Sequence, residues 1–90
     1  MESDLLALKN LGNTSVNWLR TVGIHTREEL ARLGPVATYN RIRERGIRVS
    51  RVLLYALQGA LMDVHWNELD PELKRQLVET ADANLGVPNP

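Results

Sequence analysis

Helix start and stop signals divide this sequence of 90 residues into short segments. Thr26–Glu29 has the spacing of a capping box, in which the acid returns to the N–H of the threonine. Gly34 and Pro35 end one helix and begin the next, because proline suits the first turn of a helix. Asp70, followed by Pro71 and an acid, is a strong helix start. These signals predict short helices joined by tight turns.

Apolar residues recur at helical spacing between these signals. Ser50 is predicted to cap the most apolar segment, a central helix lined by Val52, Leu53, Ala56, Leu57, Ala60, Leu61 and Val64. Gly59 inside this helix costs about 1 kcal/mol of helix propensity, which predicts that a neighbouring helix crosses closely there. Runs with strand periodicity are scarce, and aromatic residues make up 4% of the chain. We predict an all-α fold, a compact bundle of five to six short helices.

The two ends of the chain complete the predicted domain. A first short helix is expected to begin at Ser3, with an apolar side formed by Leu5, Leu6 and Leu8. The last helix is expected to bury Leu73, Leu77, Ala81 and Leu85 and to end at Gly86. The length and an apolar content of 43% are typical of one domain. We predict a single helical domain over residues 1–86 and a flexible tail over residues 87–90.

The segment Leu8–Ile24 has the spacing of a helix-hairpin-helix motif. The positions in register are Leu8, Leu11, Gly12, Ser15, Leu19, Gly23 and Ile24. Lys9 replaces the usual proline and Val16 the usual alanine, while Asn10 replaces the first glycine. Asparagine tolerates a left-handed backbone, so the turn is expected to survive. Such a hairpin exposes backbone N–H groups at a helix start, which can hold a phosphate.

Two groups of residues are therefore candidates for contacts with DNA phosphates. The hairpin group is Lys9, Asn10, Gly12, Asn13, Thr14 and Ser15, and the arginine group is Arg41, Arg43, Arg45, Arg48 and Arg51. Phosphate contacts of this kind give affinity that depends on salt and not on base sequence. The alternative interpretation is structural: the hairpin is a tight turn that binds nothing, and the arginines pair with nearby acids, including those of the acidic C-terminal half, or complement a helix dipole.

Charge is unevenly distributed although the formal net charge is zero. Residues 20–51 carry a net charge of +5, residues 52–90 carry −4, and the first nineteen residues carry −1. This layout can steer an anionic partner, and it can also let one copy dock head-to-tail on another.

Several classes of function lack their sequence signals. The chain has no cysteine, and its two histidines, His25 and His65, are far apart, so a metal site is not expected. No nucleophile–base pairing, phosphate-binding loop or dinucleotide fingerprint is present, so we expect no enzyme activity, cofactor or small-molecule substrate. The start of the chain, Met1–Asp4, lacks the basic residues of a secretory signal, and no apolar run reaches membrane-spanning length. A cytoplasmic protein without membrane contacts is expected.

A family resemblance extends over roughly residues 5–80. The residues that carry it are Leu11-Gly12, Leu19, Val22–Thr26, Glu29-Leu30, Leu33-Gly34, Val36, Tyr39, Leu53-Leu54, Ala56-Leu57, Gly59-Ala60, Trp66–Leu69, Lys74 and Leu77. In their order and spacing, the sequence resembles the C-terminal domain of the TfoX/Sxy family, regulators of bacterial natural competence. The resemblance implies an all-helical domain related to helix-hairpin-helix folds, in a regulatory context. In full-length members this domain follows an α/β domain, so the resemblance concerns the second domain alone.

Two functions remain open at this point. The first is a DNA-associated regulatory module in which the hairpin and the arginine group touch phosphates without reading the base sequence. The second is a protein-interaction or self-association module, for example a homodimer, in which the same hairpin is structural and DNA is not bound.

Overall fold

The computed structural model describes residues 4–85, and all regular secondary structure in this range is helical. Five α-helices follow in order: α1 (Asn13–Thr21), α2 (Arg27–Leu33), α3 (Pro35–Glu44), α4 (Arg51–Met62) and α5 (Pro71–Leu85). Two short 3-10 helices lie before α1 and before α5, at Asp4–Ala7 and Trp66–Glu68. The predicted all-α fold is confirmed. The predictions for Ser3, the Leu85 side chain, Gly86 and residues 87–90 lie outside the described residues.

Local capping explains where the helices begin. Thr26 accepts a hydrogen bond from the Glu29 N–H at 3.1 Å, and the Glu29 carboxylate accepts one from the Thr26 N–H at 3.1 Å, so the predicted capping box is present. Gly34 separates α2 from α3, and Pro35 occupies the first position of α3. The Asp70 carboxylate accepts a hydrogen bond from the Glu72 N–H at 2.8 Å and so caps α5.

The central helix differs from the prediction in three respects. Ser50 is the N-cap residue of α4, but its side chain makes no capping hydrogen bond. Val52 is 41% exposed, because the first turn of α4 is only partly covered by its neighbours. The helix ends at Met62, since Asp63 adopts a left-handed backbone with φ of 60°, so Val64 lies in the following turn.

The core forms where α3 and α4 meet each other and the remaining helices. Helix α3 contacts α1, α2, α4 and α5, and α4 also contacts α2, α5 and the second 3-10 helix. The core cluster consists of Leu5, Leu11, Val16, Leu19, Val22, Ile24, Leu30, Tyr39, Ile42, Leu53, Leu54, Ala56, Leu57, Ala60, Leu77 and Ala81. Burial of this apolar surface is the main favourable term in folding.

The predicted close approach at Gly59 is present, but the neighbours are a turn, the chain leaving α4 and the start of a short 3-10 helix rather than a crossing α-helix. A Cβ atom at this position would lie 2.7 Å from Asn10 Nδ2, 2.7 Å from the Val64 carbonyl oxygen and 3.3 Å from Trp66 Cα. The space beside the glycine is therefore filled by the hairpin turn, the chain leaving α4 and the first residue of the second 3-10 helix. Glycine is required because a side chain has no room at this contact.

Candidate functional site

The turn that precedes α1 is held in place by the side chain of Asn10. Its backbone is left-handed, with φ of 73°, as the sequence predicts. Its Nδ2 donates to the Val64 carbonyl at 2.9 Å and to the Ala56 carbonyl at 3.4 Å, and its Oδ1 accepts from the Trp66 N–H at 3.1 Å. The amide thus binds the hairpin to α4 and to the second 3-10 helix. Its hydrogen-bonding groups point into the fold rather than towards a ligand.

The N-terminus of α1 carries the other hairpin candidates. Gly12 is the N-cap, with φ of −106° and ψ of −172°, and no side chain caps the helix. Gly12, Asn13 and Thr14 are exposed, as is Lys9, while Ser15 is half-buried. The first turn of α1 contains no acidic residue. The first N–H groups of a helix have no intrahelical acceptor, and the helix dipole favours an anion beside them.

The arginine group divides into two parts: Arg43 and Arg51 contact other side chains, and the remaining three arginines do not pair with an acid in the described chain. The Arg43 guanidinium lies 4.8 Å from the centre of the Tyr39 ring, donates to Asn40 Oδ1 at 3.4 Å and lies 3.6 Å from an oxygen of Asp82. Arg51 lies 3.9 Å from the other oxygen of the same carboxylate. The structural interpretation, in which arginines pair with acids of the C-terminal half, describes these two side chains.

Arg41, Arg45 and Arg48 form the second part of the arginine group. They are exposed and pair with no acid within residues 4–85. Arg41 and Arg45 line a surface pocket of about 330 Å³ together with Val22 and Glu44. Val22 is the C-cap of α1, so this pocket lies at the opposite end of α1 from the uncapped N–H groups, about 14 Å away at 1.5 Å per residue.

A cluster of aromatic and basic side chains was not identified from the sequence. The Tyr55 and Trp66 rings are stacked with their centres 6.1 Å apart. The His65 and Trp66 rings are also stacked, with the same distance of 6.1 Å between their centres. Lys74 Nζ lies 5.3 Å from the centre of the Trp66 ring. The members come from α4, the second 3-10 helix and α5, so no local sequence pattern joins them. Through the Trp66 N–H the cluster is bonded to Asn10.

Among residues 4–85, no group of three His, Asp or Glu side chains is placed to hold a metal ion. None of the helices in this range combines the length and apolar character needed to cross a membrane.

Comparison with known proteins gives one family and similar solved structures. The model of the TfoX C-terminal domain family matches residues 1–81. A crystal structure of an uncharacterized protein from Listeria monocytogenes, in a triclinic form, has a TM-score of 0.82 and 31% identity, covering 96% of this chain and 98% of that chain. A tetragonal crystal form of a protein of unknown function from Listeria monocytogenes has a TM-score of 0.81 and 33% identity, covering 90% and 99% respectively. No curated protein matches significantly.

Proposed function

This chain belongs to the TfoX C-terminal domain family, and we propose on that basis that it is a non-enzymatic regulatory module that binds DNA phosphates. The proposed interface consists of the N-terminus of α1 and of Arg41, Arg45 and Arg48, which form no ion pair within residues 4–85. The observation that carries the proposal is that α1 begins with an exposed glycine and no side-chain cap.

The rigidity of the hairpin supports this role for α1. Asn10 fixes the turn through its bonds to the backbone of Val64 and Trp66. The N–H groups of Thr14 and Ser15 are therefore presented in a fixed geometry, and little conformational entropy is lost when an anion binds. Backbone N–H groups at a helix start recognise phosphate without distinguishing bases.

The arginines supply the long-range attraction that a single hairpin lacks. Arg41 and Arg45 lie beside the C-terminal end of α1, and their charge is not neutralised by an ion pair in the described chain. Each phosphate neutralised by such a side chain releases counterions, so affinity falls steeply as salt rises. A protein with zero formal net charge is expected to bind duplex DNA only weakly at physiological ionic strength.

Gly12→Asp tests this proposal, because it is expected to weaken DNA binding without lowering the stability of the domain. The N-cap backbone of Gly12 is extended, which suits an aspartate whose carboxylate caps the N–H of Thr14 or Ser15. We expect a domain at least as stable as the wild type, but with about tenfold weaker affinity for duplex DNA at low salt, because the carboxylate occupies the phosphate position and repels it. Gly12→Ser is the matched control, since it adds a cap without a charge.

The arginines are tested with the same DNA at two salt concentrations. Arg41→Glu and Arg45→Glu are expected to weaken binding and to flatten its dependence on salt. Arg32→Glu is the control of equal charge change, because Arg32 lies on α2 and pairs with Glu28. No detectable binding of the wild type at low ionic strength, or equal effects at Arg32 and Arg45, would contradict the proposal.

Self-association is the second candidate function. Leu6, Val52 and Met62 are large apolar side chains with 44%, 41% and 49% exposure. Together with the basic and acidic halves of the sequence, they favour docking of one copy on another. Sedimentation of the same samples distinguishes the two functions: a dimer that forms with rising concentration and does not bind DNA supports self-association alone.

A further inference from the structure

The Asp82 carboxylate lies between two arginines that come from different helices. Its Oδ1 is 3.6 Å from an Arg43 nitrogen, and its Oδ2 is 3.9 Å from an Arg51 nitrogen. We propose that Arg43 and Arg51 form a phosphate-binding clamp and that Asp82 occupies this clamp in the absence of ligand. The inference rests on the proposed DNA-phosphate function, and it adds a second phosphate position together with an internal competitor.

Arg43 has contacts besides the one with Asp82. Its guanidinium packs over the Tyr39 ring, 4.8 Å from the ring centre, and makes a longer contact of 3.4 Å with the side-chain oxygen of Asn40. Asn40 is itself buried, and its amide donates to the Ala81 carbonyl at 3.0 Å. The Arg43 side chain is 26% exposed, so part of it remains accessible to a ligand. An arginine ordered before binding loses little entropy when it takes up an anion.

Arg51, the second arginine of the clamp, has an exposed side chain that can change its position. Arg51 is the first residue of α4, and its side chain is 65% exposed. It is therefore free to follow an incoming phosphate while Arg43 remains fixed. Two guanidinium groups present several N–H donors, and phosphate oxygens accept pairs of them in parallel.

Asp82 is a weak occupant of the clamp. Both of its distances to nitrogen exceed the 3.2 Å that ends the usual range of N–H to oxygen hydrogen bonds. The Asp82 side chain is 54% exposed, and ion pairs in such contact with water contribute little. A phosphate has more acceptor oxygens than the carboxylate, so it displaces Asp82, and the displacement lowers the net affinity for phosphate.

Asp82→Asn tests the competition directly. Inorganic pyrophosphate is titrated at low salt while the Nε–H signals of Arg43 and Arg51 are followed by nuclear magnetic resonance. We expect binding about fivefold tighter than in the wild type, the size of change given by removing a pair of exposed ion pairs, with both arginine signals shifting. Glu44→Gln is the local control, because it removes the same charge from an exposed site in the basic region, and Asp63→Asn is the remote control.

A second variant identifies the arginines as the cause of the gain. Adding Arg51→Gln to Asp82→Asn is expected to remove the tighter binding while leaving the Arg43 contacts to Tyr39 and Asn40 in place. A gain no larger than that of Glu44→Gln overturns the clamp, and so does a gain without shifts at Arg43 and Arg51. An Asp82→Asn protein that melts at a lower temperature and shows no gain assigns Asp82 a purely structural role and also overturns it.

The same two proteins are also titrated with duplex DNA, which distinguishes the proposed clamp from the proposed DNA function. Tighter binding of both pyrophosphate and DNA by Asp82→Asn supports the two proposals together. Tighter binding of pyrophosphate, with no DNA binding by either protein, supports a clamp for free phosphate groups and contradicts the DNA function.

Discussion

The side-chain amide of Asn10 lies 2.7 Å from the place that a Cβ atom on Gly59 would occupy. The residue that replaces the first glycine of the hairpin motif therefore fits against a glycine of the central helix. This contact lets the amide reach the Val64 carbonyl and the Trp66 N–H, which belong to the chain beyond α4. The turn that presents α1 is thus fixed by residues more than forty positions away.

Gly59→Ala is expected to destabilise the protein although alanine is the better helix former. The new methyl group would lie 2.7 Å from the Val64 carbonyl oxygen, a backbone atom that cannot move without shifting the chain. We expect the free energy of unfolding to fall by about 2 kcal/mol, measured by urea denaturation. Gly12→Ala is the control, because no atom lies within 4 Å of its Cβ, and it is expected to cost about 0.5 kcal/mol. Equal effects of the two substitutions would contradict the role of the Asn10 contact.

Asn10→Gly isolates the contribution of the amide from that of the backbone. Glycine adopts the φ of 73° without strain, so the change removes the side-chain hydrogen bonds without distorting the turn. The Val64 carbonyl and the Trp66 N–H then lose a partner, and we expect a loss of about 2 kcal/mol in urea denaturation. Asp63→Gly is the matched control, since Asp63 also has a left-handed backbone, with φ of 60°, but an exposed side chain. Its effect is expected to stay within about 0.5 kcal/mol.

The sequence predicts the features that depend on neighbouring residues. The capping box at Thr26 and Glu29 and the left-handed Asn10 are confirmed, because each depends on a few adjacent positions. The contact between Gly59 and Asn10 was not predicted, and the interpretation that pairs arginines with acids did not identify Asp82 as the shared partner. The contact of Gly59 with Asn10 and the contacts of Asp82 with the two arginines join residues 31 to 49 positions apart, and only the packing of whole helices decides them.

Replacement of Arg43 is expected to affect stability in a way that replacement of Arg45 does not. Arg43→Ala removes the contacts with the Tyr39 ring, Asn40 and Asp82, and we expect a loss of about 1–2 kcal/mol in urea denaturation. Arg45 is exposed and makes no ion pair within residues 4–85, so Arg45→Ala is expected to stay within about 0.5 kcal/mol. Equal losses at the two positions would mean that the Arg43 contacts do not stabilise the fold.

The capping box of α2 is expected to make stability depend on pH. Hydrogen bonds from the backbone N–H groups of His25, at 2.8 Å, and Thr26, at 3.1 Å, lower the pKa of Glu29. A carboxyl whose pKa is lower in the folded than in the unfolded protein stabilises the fold above its unfolded pKa, about 4.3, and loses this contribution as the pH falls through the folded pKa. Glu29→Gln is therefore expected to be less stable than the wild type at pH 7, with the difference shrinking below about pH 4.

Urea denaturation of both proteins at pH 7 and at about pH 3 measures this difference in unfolding free energy. Glu44→Gln is the control, because Glu44 is exposed and forms no ion pair in the described chain. It is expected to change the unfolding free energy by less than about 0.5 kcal/mol at neutral pH. A difference between Glu29→Gln and the wild type that is the same at both pH values would show that the charged form of Glu29 does not stabilise the start of α2.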